Sequence, residues 1–316
     1  MRSQAPLLVT VTLNPALDLT MEVDGIVPGE TTRVLTVRQD PAGKGINVSR
    51  AIQEFGGRTL ACGLLGGHTG DLVERYLVEE GVPAAFNRIE YQTRENVIMR
   101  DRSGAADVRL SAPGPRVLPE ELDRLKKRVC CLPEDPAAIV LSGSLPSDVR
   151  PDAYADIMHE ARRRGIPTIL DADGEALRAS LGAGPLLIKP NRHEARMALD
   201  RELRTREDLL GAATELRDAG AERVALTGGA REVVFAGPQG VLVASPPDVE
   251  AVSPVGSGDA FLGVLALRLL EGSPEEEALR WAVAAGAATA ATPGTMPAHR
   301  DQAEALLGEV AVAWVS

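Results

Sequence analysis

Short apolar runs alternate along this chain with longer stretches of helical periodicity, and this alternation restricts the possible folds more than any other feature. The runs are LLVTVTL (7–13), TLACGLL (59–65), AIVLSGS (138–144), TILDAD (168–173), LLIKPN (186–191) and RVALTGG (223–229). Between them lie GINVSRAIQEF, DLVERYLVEEG, PDAYADIMHEARRRG and REDLLGAATELRDAG; GDAFLGVLALRLLEG and PEEEALRWAVAAGAATAA follow. Strand, helix and strand in repetition predict right-handed crossover units, hence a parallel sheet with helices on both faces. Aromatics are only 3% of the 316 residues against 44% hydrophobic, so alanine, valine, leucine and isoleucine must build the core.

Two regions break the rhythm. MEVDGI (21–26) with RVLTVRQD (33–40), and AAFNRIE (84–90) with ENVIMRDRSGAADVRLSA (95–112), alternate in character without helices between them. They predict a small antiparallel β-sheet inserted as a lid, over about 15–40 and 84–112, within one domain spanning 1–316. EVVFAG and GVLVAS around Pro238 and Gly240 predict a hairpin.

A formal net charge of −11 argues against a nucleic-acid partner, which calls for a basic face. The cysteines are Cys62, Cys130 and Cys131, an odd set with no CxxC, so no disulfide framework is expected. The histidines (68, 159, 193, 299) never fall at metal-ligand spacing. No apolar stretch has the length of a membrane span and the first residues do not read as a signal peptide, so a cytoplasmic protein without membrane contact is expected.

The polar motifs follow the strands, at the end of a parallel sheet where ligands bind. SPVGSGDAF places Gly256, Ser257, Gly258 and Asp259 where an apolar helix begins. First-turn N–H groups lack intrahelical partners and favour an anion, and an acid beside them can accept a proton. A plain N-terminal helix acid fits the same spacing. PAGKGINVSRAI lets a ligand approach the backbone at Gly43, with Lys44 and Asn47 able to donate to sugar or phosphate oxygens; an ordinary tight turn is the alternative. TLNPALD sets Asn14 and Asp18 after the first strand, where a carboxylate can hold sugar hydroxyls or merely serve a turn. In KPNRHEA, Asn191 and Glu194 share one helix face and suit the water shell of Mg²⁺, although a capping box fits the spacing better. Arg94 and Arg109, in the lid segments, have the planar fork that suits a phosphate; surface arginine is the alternative.

In this order along one chain, TLNPALD, AGKGINVSRAI, TRENV, LSGSLP, KPNRHE, TGG and SPVGSGDAF resemble the PfkB (ribokinase-like) carbohydrate kinases over essentially the whole length. The start TLNPALD and the arginine of TRENV resemble the hexose-phosphate kinase branch, 1-phosphofructokinase and tagatose-6-phosphate kinase among it. The resemblance implies a three-layer αβα core with a small β-sheet lid, often a homodimer interface. It also implies ATP-dependent phosphorylation of a ketohexose monophosphate to the bisphosphate, with Mg²⁺ and a possible monovalent cation.

Residue by residue, it makes Asp259 the general base and the N–H groups of Gly256, Ser257 and Gly258 the anion hole. Asp18, Gly43, Lys44 and Asn47 then line the sugar site, and Arg94, Arg109 and Ser142 grip the substrate phosphate. Lys189, Asn191 and Glu194 serve the nucleotide phosphates and Mg²⁺, with Thr227, Gly228 and Gly229 on the ATP side. The chain departs from the family pattern at Ala42, usually glycine, and at Thr289, where the family often places an asparagine near adenine. A kinase for an unphosphorylated sugar or nucleoside, and a non-catalytic sugar- or nucleotide-binding regulator, stay open on the sequence alone.

Overall fold

The computed structural model describes residues 5–27, 29–103, 108–229, 231–292 and 296–315, so part of the 84–112 stretch lies outside the described residues. The first half of the chain forms β1 (Leu7–Thr12), β2 (Ala16–Val23), β3 (Val34–Ala42), α1 (Lys44–Glu54), β4 (Arg58–Gly66), α2 (Gly67–Glu79), β5 (Ala84–Ile89), β6 (Arg94–Asp101) and β7 (Val108–Leu110). Then come α3 (Pro119–Cys130), β8 (Ala138–Ser142), α4 (Ala153–Arg163), β9 (Thr168–Asp171), α5 (Gly174–Ser180), β10 (Leu187–Ile188), α6 (Arg192–Leu199) and α7 (Arg206–Asp218). The remainder forms β11 (Val224–Thr227), β12 (Val233–Gly237), β13 (Gly240–Ser245), α8 (Ser257–Leu270), α9 (Glu275–Ala290), α10 (Arg300–Leu306) and β14 (Ala311–Trp314).

The large sheet runs β14-β13-β12-β11-β10-β9-β8-β1-β4-β5. Every pairing from β11 across to β5 is parallel. Beyond β11 the expected hairpin, β12 and β13, continues antiparallel and ends on β14. The chain winds away from β1 in both directions, so the strand order reverses between β1 and β8. At such a point the loops leaving the two strands diverge and open a crevice.

Alternation along the strands sends Val9, Val11, Cys62, Leu64, Ile139 and Leu141 into the layer of α3 to α7. Leu8, Ala138 and Val140 face the other layer, of α1, α8, α9 and α10. The expected three-layer αβα architecture follows, with Cys62 and Cys130 as free, buried core thiols. Small residues bring the helices of the second layer close. A Cβ on Gly263 of α8 would stand 2.9 Å from the Val48 carbonyl of α1, so only glycine allows that approach. The contact seats the start of α1 beside the start of α8.

The small sheet, β3-β2-β6-β7, covers the same end of the molecule. Two of its pairings are antiparallel, and β2 with β6 runs parallel. One expected member is absent. Residues 84–89 of that stretch form β5 instead, an edge of the large sheet parallel to β4. The physical reason is burial on both faces: Phe86 packs under α2 while Ile89 joins the opposite layer. A strand covered on both sides belongs between helices, not in a lid.

Candidate active site

A cleft of about 600 Å³ opens over the carboxyl ends of the parallel strands, roofed by the small sheet. Thr12 and Asn14 reach it from β1, Gly143 and Ser144 from β8, and Asp171 from β9. Lys189 and Asn191 follow β10, and Thr227 and Gly229 end β11; a bridge between Asn191 and Thr227 holds those two exits together. Gly43, Lys44 and Asn47 enter from the start of α1, and Asp18, Arg94, Asn96 and Arg109 from the small sheet. The turn 256–259 closes the ring. The structure thus gathers nearly all the residues expected from the sequence. The exceptions are Ser142, Glu194 and Gly228, which lie outside the lining.

The turn owes its shape to Gly256, whose φ of 81° is in the left-handed region. Ser257 Oγ then donates to the Pro254 carbonyl at 2.8 Å, and the Ala260 N–H donates to the Gly256 carbonyl at 2.8 Å. The N–H groups of Gly258 and Asp259 have no acceptor among the described residues, which leaves them for an anion at the helix N-terminus. Ser257 N–H is only loosely held, 3.4 Å from the Pro254 carbonyl.

Asp259 is buried beneath that turn, and the Asn47 side-chain amide donates to its Oδ2 at 2.8 Å. Burial pushes its carboxyl up, and the charge of Asp171 adds to the push. Asn47, Lys44 and Lys189 pull the other way, and the balance stands at about 6. A carboxylate in that range is ionised near neutral pH yet basic enough to take a proton in a reaction.

Asp171, not anticipated from the sequence, organises the positive charge. Its Oδ1 lies 3.3 Å from both Lys44 Nζ and Lys189 Nζ. Burial opposes its charge, but Lys189 and Lys44 overcome that and hold its carboxyl below the usual range. Burial likewise opposes the Lys44 ammonium, which Asp171 and Glu194 more than offset, raising its pKa above that of an ordinary lysine. Ser142, expected at the substrate phosphate, is fully buried, and its hydroxyl donates to Asp171 Oδ2 at 3.3 Å. Gly143 and Ser144 line the cleft in its place. The alternating strand turns residue 142 inward.

Asn191 and Glu194 form the capping box that their spacing allowed. Asn191 Oδ1 accepts the Glu194 N–H at 2.9 Å and Glu194 Oε2 accepts the Asn191 N–H at 2.8 Å. Glu194 Oε1 meanwhile lies 3.2 Å from Lys44 Nζ. No set of three metal-ligating side chains gathers among the described residues. Asn191 on the lining with a carboxylate behind it fits an outer-sphere role toward a hydrated divalent cation, the mode Mg²⁺ favours beside phosphates.

On the opposite side, Asp18 Oδ1 accepts from Asn96 Nδ2 at 2.8 Å, another contact the sequence reading missed. Burial raises the Asp18 carboxyl above the usual value, with the Asn96 bond opposing. Arg94 is built into the frame: its guanidinium donates to the carbonyls of Ala112 (2.7 Å) and Asn14 (3.0 Å). Arg109 differs. It is exposed in the cleft, and among the described residues no hydrogen bond or ion pair holds its guanidinium.

Past the α8 N-terminus the cleft continues into a slot of about 370 Å³, lined by Val233, Pro246, Val249, Phe261, Val283 and Ala287 among others. Thr227, Gly229, Pro254, Ser257 and Gly258 border both spaces. The apolar part of the lining suits a flat ring, and the slot opens toward the α8 turn. Thr289 does not line the slot; it is buried, and its Oγ1 accepts the Ala298 N–H at 3.1 Å.

A model of the "pfkB family carbohydrate kinase" matches residues 11–302. The chain belongs to that family. It is 34% identical over 304 residues to ATP-dependent 6-phosphofructokinase isozyme 2 of Escherichia coli K12, covering 93% of this chain and 96% of the relative. It is equally 34% identical, over 302 residues, to 1-phosphofructokinase of the same strain, covering 95% and 96%. The crystal structure of Escherichia coli phosphofructokinase-2 in complex with potassium matches with a TM-score of 0.92 at 32% identity, covering 96% of this chain and 99% of the other. Arabidopsis thaliana ribokinase with ribose and ATP, at 21% identity and a TM-score of 0.75, shares the pfkB-type fold.

Proposed function

We propose that the chain transfers the γ-phosphoryl group of ATP to a hydroxyl of a ketohexose monophosphate, giving the bisphosphate. Fructose 1-phosphate, tagatose 6-phosphate and fructose 6-phosphate are the acceptors of this class. The observation that carries the reading is the buried Asp259 beneath the open N–H groups of the α8 turn, in one cleft with the unengaged Arg109. As the acceptor oxygen bonds to the γ-phosphorus, the bond to the β–γ bridging oxygen breaks, ADP leaves and the hydroxyl proton passes to Asp259. The open N–H groups of Gly258 and Asp259, with those of Gly256 and the loosely held Ser257 beside them, receive the charge of the transferring group, and Lys189 and Lys44 add positive charge from one side. Asp18, with Gly43 and Asn47, holds sugar hydroxyls. Asn191, with Glu194 behind it, would hold a hydrated Mg²⁺, which supplies charge neutralisation on the nucleotide phosphates. Thr227, Gly228 and Gly229 border the ATP side, and the apolar slot takes adenine.

The substrate phosphate falls to Arg109, with Arg94 fixing the walls around it. Arg109→Ala is therefore expected to raise KM for the sugar phosphate about 30-fold or more, as loss of a charged bidentate contact does. KM for ATP should change little. An unchanged sugar KM would favour an unphosphorylated substrate.

The Asp259 carboxyl, held at about 6, must be ionised to act. Activity at subsaturating sugar phosphate should thus rise through about pH 6 and level above it, a profile that initial rates between pH 5 and 8 will check.

The single domain over 1–316, with the small sheet as its lid, and a cytoplasmic location belong to the same reading. No helix among the described residues is long and apolar enough to cross a membrane. Exposed Val34, Leu35 and Val37 on β3 and Leu110 on β7 support a homodimer through the small sheet. Light scattering should show a dimer that Val37→Asp weakens, and a monomeric parent would refute it. A monovalent cation rests on the potassium in the Escherichia coli relative's crystal and is checked by substituting tetramethylammonium salts.

A further inference from the structure

Asn47 does not reach Asp259 unaided. One turn along α1, Arg50 is almost wholly buried, 3% exposed, and its Nη1 donates to Asn47 Oδ1 at 3.0 Å. The same nitrogen donates to the Pro41 carbonyl at the end of β3, at 2.9 Å. Nε and Nη2 form a two-pronged pair with Glu80, at the end of α2, at 2.8 and 2.7 Å. Glu80, Arg50, Asn47 and Asp259 thus make a continuous line of hydrogen bonds from the molecular edge to the cleft. Nothing in the proposed phosphoryl transfer uses its outer half.

The chemistry of the amide gives that half a purpose. A carboxamide has one acceptor end and one donor end, and rotation about its last bond exchanges them. Only the donor end can serve an ionised carboxylate. Arg50 has no acceptor to offer, so an amide whose oxygen it holds must turn its nitrogen toward Asp259.

We propose that Arg50 is a positioning residue for the base, fixing the Asn47 amide so that its Nδ2 always faces Asp259, with Glu80 holding the guanidinium in place. This rests on the assignment of Asp259 as the base. Stability alone does not call for such an arrangement, since apolar side chains often replace a buried ion pair without loss. The groups that bear on Asp259 are Asn47 and Lys44 from α1, Asp171 at the end of β9 and Lys189 after β10. Arg50 reaches it through Asn47.

The test reads the Asp259 carboxyl directly, by NMR titration of the full-length protein carrying ¹³C-labelled aspartate, its signal assigned by loss in Asp259→Asn. Removing arginine alone would strand Glu80, so the variant is Arg50→Met with Glu80→Gln. Freeing the amide withdraws a hydrogen bond that favours the ionised form, so the titration should move up by about one pH unit. Asn47→Ala should produce a similar rise, and combining all three changes should add nothing further. The acid limb of the rate profile should move to higher pH in parallel. Should the double variant fail to fold, Arg50→Lys serves: one ammonium cannot hold both Glu80 and Asn47, and a rise of the same sign is expected. An unmoved Asp259 titration in a folded variant, or a shift that adds to that of Asn47→Ala, overturns the proposal. Near-normal turnover of Asp259→Asn would instead refute the base assignment, while the titration still decides the relay.

Discussion

Asp259→Asn is expected to lower turnover about 1,000-fold, within the range that a positioned general base contributes. The substitution keeps size and shape and still offers an oxygen to Asn47, so the turn and the helix behind it should stand. What it loses is the ability to take the proton of the attacking hydroxyl. The apolar slot beyond the turn is untouched, and ATP affinity should stay within about threefold of the parent. Turnover within tenfold of the parent would remove Asp259 from the chemistry and leave it a helix-start acid.

Asp171→Ala is expected to be the most damaging change to stability. The carboxylate is fully buried and faces two ammonium groups and a hydroxyl. Removing it leaves the buried Lys189 unbalanced, which costs about 3–5 kcal/mol by analogy with other broken buried pairs. For a chain of this size that corresponds to a fall in Tm of roughly 5–8 °C. The Asp171 carboxyl is held below its ordinary value when folded. Its contribution is therefore fully present above the unfolded carboxylate range and is lost as pH falls through the depressed folded value. Parent and variant should converge on acidification. Thermal melts at pH 7 and in mild acid check both points, and equal Tm at pH 7 would contradict the role.

The fold was legible where pattern and burial agree. Runs such as LLVTVTL and AIVLSGS are apolar on both sides because helices cover both faces of the sheet, and turn chemistry marks their ends. Residues 84–90 misled because alternation cannot distinguish a lid strand from an edge strand; the packing of Phe86 and Ile89 decides that, and it is tertiary. α5, α10 and β14 are too short to carry a period.

In the site, glycine-rich turns at helix starts were visible because their chemistry is local. Asp171 was not, since an aspartate ending a short strand gains meaning only when lysines 127 residues earlier and 18 later converge on it. Ser142 shows the converse: motif membership does not say which way a side chain points. Asn191 and Glu194 satisfy a capping box in the structure, and the same geometry leaves them beside the cleft, so the two readings of that spacing are compatible.

The central claim is phosphoryl transfer to a sugar that already bears a phosphate. A coupled ADP-release assay with ATP and Mg²⁺, run over fructose 1-phosphate, fructose 6-phosphate, tagatose 6-phosphate, fructose and ribose, tests it most directly. The account predicts kcat/KM at least about 100-fold higher for one or more of the three phosphates than for fructose or ribose, the discrimination a buried charged contact supplies. Equal or greater efficiency with fructose or ribose, or no ADP release with any of the phosphates, would contradict it.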